Sequence, residues 1–77
     1  MVDIKKIVIK AISDASVPNA EKLREDISLT DQGVDSLGMF TIVMNVQDSC
    51  GIEIPDSDLD KVRSINEFVD YLSDRLV

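Results

Sequence analysis

Ser36 is the residue in this chain best placed to do chemistry, and its neighbours decide which chemistry. It lies in Gly33-Val34-Asp35-Ser36-Leu37, where a long polar stretch gives way to an apolar run. A serine hydroxyl becomes a nucleophile only when a base removes its proton. The chain has no histidine, and neither Lys nor Arg adjoins Ser36, which argues against a self-contained serine hydrolase. Taken alone, a serine here is an ordinary helix cap. A helix start also presents unpaired N–H groups and the positive end of the macrodipole, so a phosphate ester on Ser36 would be held in a favourable field.

Two further groups of reactive side chains are weaker. Asp56, Asp58, Asp60 and Glu67 reproduce the carboxylate spacing of an EF-hand calcium loop, but Lys61 stands where the sharp turn demands glycine. Glu67 also belongs to Ser64-Ile65-Asn66-Glu67, which fits a capping box. No dedicated metal site is assigned, although weak, nonspecific binding of divalent cations is compatible with this acidic turn. Cys50 stands alone, so it cannot form an internal disulfide. It ends an apolar run near Asp48, and a nearby acid raises a thiol's pKa, so a small buried side chain is expected.

The elements that must position these residues follow from periodicity. Ile4, Ile7, Val8, Ala11, Ile12 and Ala15 recur at helical spacing opposite Lys5, Lys6, Lys10 and Asp14, which predicts an amphipathic helix over residues 3–15, ended by Pro18. Residues 16–35 form a long connection, with Leu23, Ile27 and Leu29 to pin it to the core. From Ser36 to Cys50 the chain is apolar on several sides and stops at Gly51, as a buried helix does. Ile52-Glu53-Ile54-Pro55 reads as an extended connector, and Asp56–Lys61 as a short helical turn. The capping box then opens a last helix with Ile65, Phe68, Val69, Leu72 and Leu76 on one face. The expected fold is all-α: a small four-helix bundle of three main helices and one short one, a single domain over residues 1–77 with a long loop between the first two helices.

Composition narrows the partners. Fifteen acids against eight bases leave a net charge of −7 in 77 residues, a field that repels nucleic acid and attracts basic protein surfaces. A domain of this size buries only about 60% of its unfolded surface, too little for a deep enzyme cleft. No apolar run approaches the roughly 18 residues that a membrane span needs, and no charged-then-apolar leader is present, so the cytosol is the expected compartment.

The serine with Gly33, Asp35 and Leu37 around it, a long preceding loop, a following helix, the Ile54-Pro55-Asp56 connector and an amphipathic last helix together resemble the acyl carrier protein family over nearly the whole chain. The resemblance implies that Ser36 bears 4′-phosphopantetheine, donated from coenzyme A by a separate phosphopantetheinyl transferase. Acyl intermediates then ride as thioesters on the arm's thiol to enzymes of fatty-acid, polyketide or related lipid biosynthesis. It implies a monomer without activity of its own, with Asp35, Leu37, Met44 and Asp48 recognised by the transferase and by partners.

The chain departs from the family in its second helix. Gly38, Thr41, Asn45 and Gln47 stand where exposed charged or differently shaped residues are common, and Asp48 is that helix's one acid after Asp35. Met39, Phe40 and Met44 add apolar bulk, which points to more apolar partner surfaces. Phe40, Val43 and Val46 are expected in the core, and Met44 at the docking surface. Gly38 is expected to permit close approach of a partner or of the arm. Gln32 replaces a residue often apolar in the family. The alternatives are a peptidyl or aminoacyl carrier, which often has His where Asp35 stands, an acidic helical adaptor in which Ser36 is only a cap, and the calcium module.

Overall fold

The computed structural model describes residues 3–76. Helix α1 spans Ile4–Asp14, α2 spans Ser36–Cys50 and α3 spans Ile65–Leu76, with a six-residue 3-10 helix at Asp56–Lys61 as the short fourth member. Among the described residues there is no strand, and Ile52–Pro55 is an unpaired extended connector.

Each main helix starts where a side chain satisfies a backbone donor that would otherwise lack a partner. The Asp3 carboxylate accepts from the Lys6 N–H at 3.2 Å, and Ser64 Oγ accepts from the Glu67 N–H at 3.2 Å, the serine half of the capping box. The α1 stop comes earlier than its proline suggests. Ser16 takes a left-handed conformation with φ 66°, and the Ala15 and Ser16 N–H groups turn back to Ile12 and Ser13 carbonyls. Val8, Ala11 and Ile12 of α1, Ile42, Val43 and Val46 of α2, and Ile65, Phe68 and Leu72 of α3 meet in one core. Leu76, assigned to the apolar face of α3, is 37% exposed because the helix has run past the neighbours that cover its middle. Tyr71 is buried in its place.

Side-chain amides tie the helices together. Asn45 Nδ2 donates to the Ala11 carbonyl at 3.0 Å, satisfying an acceptor at the frayed end of α1. Gln47 Oε1 accepts from the Ile54 N–H at 2.7 Å and fixes the connector against α2. Both residues are half-buried, which corrects the expectation that they lie on the exposed face.

The long loop is held by three independent devices. Leu29 is fully buried, whereas Leu23 is half-buried and Ile27 lies at the surface, so one apolar anchor does most of the pinning. Backbone bonds from the Leu29 N–H to the Arg63 carbonyl at 2.8 Å and from the Asn66 N–H to the Glu25 carbonyl at 3.0 Å lash the loop to the start of α3. Gln32 closes it: Oε1 accepts from the Arg24 N–H at 2.7 Å, and Nε2 donates to the Arg24 and Ile27 carbonyls at 2.8 and 2.9 Å. An apolar side chain here could make none of these bonds.

The short 3-10 helix is secured to α3 through Asp58. Its carboxylate accepts from Tyr71 Oη at 2.6 Å and Arg75 at 3.1 Å, with Lys61 at 3.4 Å. The Arg75 guanidinium lies over the Tyr71 ring, 4.0 Å from its centre. The Tyr71 hydroxyl bond has the largest effect on the Asp58 carboxyl; burial opposes it, and the Lys61 and Arg75 cations add to it, so the net effect holds the pKa below its ordinary value. The Asp58 oxygens thus serve tyrosine, arginine and lysine, and among the described residues no three or more His, Cys, Asp or Glu side chains are grouped to hold a metal ion.

Two outcomes follow. Gln32→Ala should lower stability by roughly 1–2 kcal/mol, since a half-buried amide loses several bonds, with a drop in Tm on the order of 4–8 °C per kcal/mol in a domain of this size; thermal melting of the variant checks it. Because the folded pKa of Asp58 is depressed, its contribution is fully present above the ordinary carboxylate value of 3.8 and is lost as pH falls below it. Tyr71→Phe removes the largest cause of that depression, so melting curves taken down the acid limb should show a shallower pH dependence than the parent, starting from a lower neutral-pH stability.

Candidate functional site

The approach to Ser36 is built by a glycine turn. Gly33 has φ 102°, a conformation that side chains resist, and lets the Gly33 and Val34 N–H groups return to the Thr30 and Leu29 carbonyls at 3.2 and 3.1 Å. The chain is thereby reversed, Val34 is buried, and Asp35 emerges extended at the head of α2.

Asp35, not Ser36, caps the helix. Its Oδ1 accepts from the Gly38 N–H at 2.7 Å, and its carbonyl accepts from the Met39 N–H at 2.9 Å. Ser36 is the first helical residue and is exposed, and among the described residues its hydroxyl makes no hydrogen bond. The reading of Ser36 as a plain cap is therefore corrected, for a physical reason: the preceding carboxylate already fills that position. Gly38 has a different role from the one its spacing suggested. A Cβ there would lie 3.0 Å from Asp35 Oδ1 and 3.1 Å from Val34 Cγ1, so the missing side chain leaves room for the cap and for the buried valine beneath it.

Beyond the serine, α2 presents an apolar stripe to solvent. Leu37 is 72% exposed, Phe40 56% and Met44 48%, and Asp48 continues the same face. These positions are separated by three or four residues, the spacing that aligns side chains along a helix. Leu37, Met44 and Asp48 thus share one exposed face of α2. Phe40 does not belong to the core with Val43 and Val46: its position turns it away from α1 and α3, while those valines point toward them. Gly38 and Thr41 are half-buried, and the Thr41 hydroxyl donates to the Leu37 carbonyl at 3.0 Å. Cys50 is half-buried at the far end, and burial itself pushes its thiol above the ordinary value.

A groove of about 510 Å³ runs beside the serine. Ser36, Met39, Phe40 and Val43 of α2 form one wall; Leu59 and Val62, with Asp60 and Arg63, form another; and Ser28 and Thr30 of the loop close it. The floor and sides are mostly apolar. The polar groups are largely engaged with one another, Ser28 Oγ with Thr30 Oγ1 at 2.9 Å and Arg63 with Asp60 at 3.1 Å. Sequence reasoning missed this second wall because Leu59, Val62 and Arg63 show no pattern until the 3-10 helix turns them toward α2. It missed the Asp58–Tyr71–Arg75 cluster for the same reason, since 13 and 17 residues separate the partners.

This arrangement offers an exposed hydroxyl at a helix N-terminus, next to an apolar groove and an exposed apolar stripe. A family model described as "Phosphopantetheine attachment site" matches residues 6–72. An acyl carrier protein of Campylobacter hominis is 37% identical over 70 residues, covering 91% of this chain and 85% of the relative. One of Campylobacter fetus subsp. fetus is 36% identical over 70 residues, covering 91% and 87%. With the helical fold and the serine at the head of α2, these matches place the chain in the acyl carrier protein family, whose cofactor is phosphopantetheine.

Proposed function

We propose that Ser36 is the attachment point of the 4′-phosphopantetheine arm, and that residues 1–77 act as one carrier domain that catalyses nothing by itself. The observation that carries this reading is the division of labour at the helix start: Asp35 satisfies the Gly38 N–H, which leaves the neighbouring hydroxyl exposed and unbonded. A phosphodiester at Ser36 lies in the positive field of the α2 N-terminus. When attached, the arm supplies a thiol that holds acyl groups as thioesters, activated toward nucleophiles and toward loss of an α-proton. The protein's own residues anchor the arm, present the stripe, and line a groove of a size and polarity suited to an apolar chain.

Recognition is divided between charge and apolar contact. Asp35 is the acid nearest the reacting hydroxyl and marks it for the transferase, which uses coenzyme A as donor. Leu37 and Met44 form the contact surface for partner enzymes, with Asp48 at its edge to meet a basic rim. The net charge of −7 steers such encounters without making them tight. Acyl rather than peptidyl cargo fits the aspartate before the serine, and the setting is the cytosol, with the carrier a monomer.

The test is mass spectrometry of the protein incubated with coenzyme A and a broad-specificity phosphopantetheinyl transferase. The parent should gain the mass of the arm at Ser36, and Ser36→Ala should gain nothing; an unmodified parent would refute the carrier reading. Asp35→Asn separates the two roles of Asp35, because asparagine caps a helix about as well as aspartate. Its melting temperature should stay near the parent's while its rate of modification falls at least roughly tenfold, which corresponds to about 1.4 kcal/mol of lost recognition.

A further inference from the structure

A second cleft, of about 340 Å³, lies between the end of α1 and the loop and shares no lining residue with the apolar groove. Ser16, Val17 and Pro18 form one bank, Leu23, Gln32 and Gly33 the other, and Asp35 and Gly38 close it at the head of α2. Asp35 borders this cleft and Ser36 borders the groove, so the serine stands where the two hollows meet. Their linings differ in kind. In the groove the Ser28 and Thr30 hydroxyls pair with each other and Arg63 pairs with Asp60. In the second cleft Val17 and Leu23 are half-buried and apolar, while the Ser16 hydroxyl and the Val17 and Asp35 N–H groups have no hydrogen-bond partner among the described residues. The first bank is held in shape by Ser16 and Asn19, whose left-handed conformations, φ 66° and 56°, persist only where the surrounding fold fixes them. No atom lies within 4 Å of where a Cβ of Gly33 would stand, so the opposite edge is open.

We propose that this second cleft is the resting site of the arm when it bears no acyl group, with Ser16, Val17 and Leu23 as the residues that hold it. The inference rests on the carrier reading above. The arm is amphipathic: next to its phosphate come a dimethyl-substituted carbon and a hydroxyl, then two amides, then the thiol. Polar groups buried without partners are costly, and the groove's own polar groups are already paired, so the unloaded arm is poorly matched to it. The second cleft matches the arm's alternation. Val17 and Leu23 supply apolar contact for the dimethyl carbon, which stands close to the phosphate and therefore to Ser36. The Ser16 hydroxyl and the Val17 N–H are free to bond the arm's hydroxyl and nearer amide. The Asp35 carboxylate stays with the Gly38 N–H, so holding the arm does not disturb the cap. The occupant is the protein's own arm because its attachment residue adjoins the cleft, which makes its local concentration far higher than that of any free ligand.

Isotope-filtered NMR tests this directly. Protein labelled uniformly with carbon-13 and nitrogen-15 is modified by the transferase from unlabelled coenzyme A, and the arm is verified by mass. Nuclear Overhauser cross-peaks should run from the two methyl groups of the arm to the methyl groups of Val17 and Leu23. The amide signals of Ser16 and Val17 should shift on modification together with those of residues 35–37, although they lie some 20 positions earlier in the chain. The cross-peaks to Leu23 should be largely lost in Val17→Ala and kept in Leu59→Ala, which alters the groove instead; the amide spectrum of each variant shows whether it is folded. Should Val17→Ala fail to fold, the parent's cross-peaks decide alone. With the arm in place, cross-peaks only to Leu59 and Val62, no cross-peaks at all, or unshifted Ser16 and Val17 amides would overturn the inference and leave the carrier reading intact. If no mass is gained at Ser36, both fail.

Discussion

The hydrogen bond from the Gly38 N–H to Asp35 Oδ1, at 2.7 Å, is the constraint on which the rest of the site depends. A helix start must satisfy its first donors, and Ser, Thr, Asp and Asn do so about equally well. With Asp35 and Ser36 adjacent, only one can take the capping position, and the extended backbone of residue 35 gives it to the aspartate. The serine is thereby placed on the first turn with a free hydroxyl. Gly38 completes the arrangement, since a side chain at that position would crowd the carboxylate and Val34. A single backbone choice thus determines which of two polar neighbours is structural and which is available for modification.

That choice is enforced from behind by the loop. About 20 residues of irregular chain between two helices would move freely unless fixed, because each ordered residue gives up roughly 1–2 kcal/mol of backbone entropy. Buried Leu29, its bond to Arg63, the Glu25–Asn66 backbone bond and the Gln32 amide hold the loop at both ends of its second half. The left-handed Gly33 turn then delivers Val34 to the core and Asp35 to the helix start. Gln32 works through polar bonds in a half-buried setting, donating and accepting at once to close the loop.

Local patterns in the sequence carried the helices, the connector, the capping serine at position 64 and most of the core, because each depends on residues within one or two turns of one another. The fate of Phe40 was not legible in this way. An apolar run on several sides of a helix does not reveal which side lacks a neighbour, and that depends on where α1, α3 and the 3-10 helix settle. Asn45 and Gln47 misled for the converse reason: amides look like surface residues until a distant carbonyl or N–H, here of Ala11 and Ile54, is brought within 3.0 Å. Ser36 was legible as a candidate site but not as a residue freed from capping. Both Asp35 and Ser36 are good caps, and only the backbone at 35 decides between them.

An acidic protein with an exposed apolar stripe on one helix combines two requirements of a shuttle. Long-range attraction between a −7 carrier and a basic surface raises the rate of encounter but is screened beyond about 8–10 Å at physiological salt, so it adds little to the lifetime of the complex. The stripe acts only in contact and is small, three side chains over about two turns, too little to approach the roughly 800 Å² per partner of a stable interface. A carrier that must leave each enzyme after one transfer needs this division: charge to arrive, limited apolar area to stay briefly. The placement of the stripe follows from the same physics as the placement of Ser36. Both lie on α2 where α1 and α3 leave it exposed, Ser36 at the edge of the groove and Leu37, Phe40 and Met44 along the neighbouring stripe, so a partner seated on the stripe has Ser36 beside it.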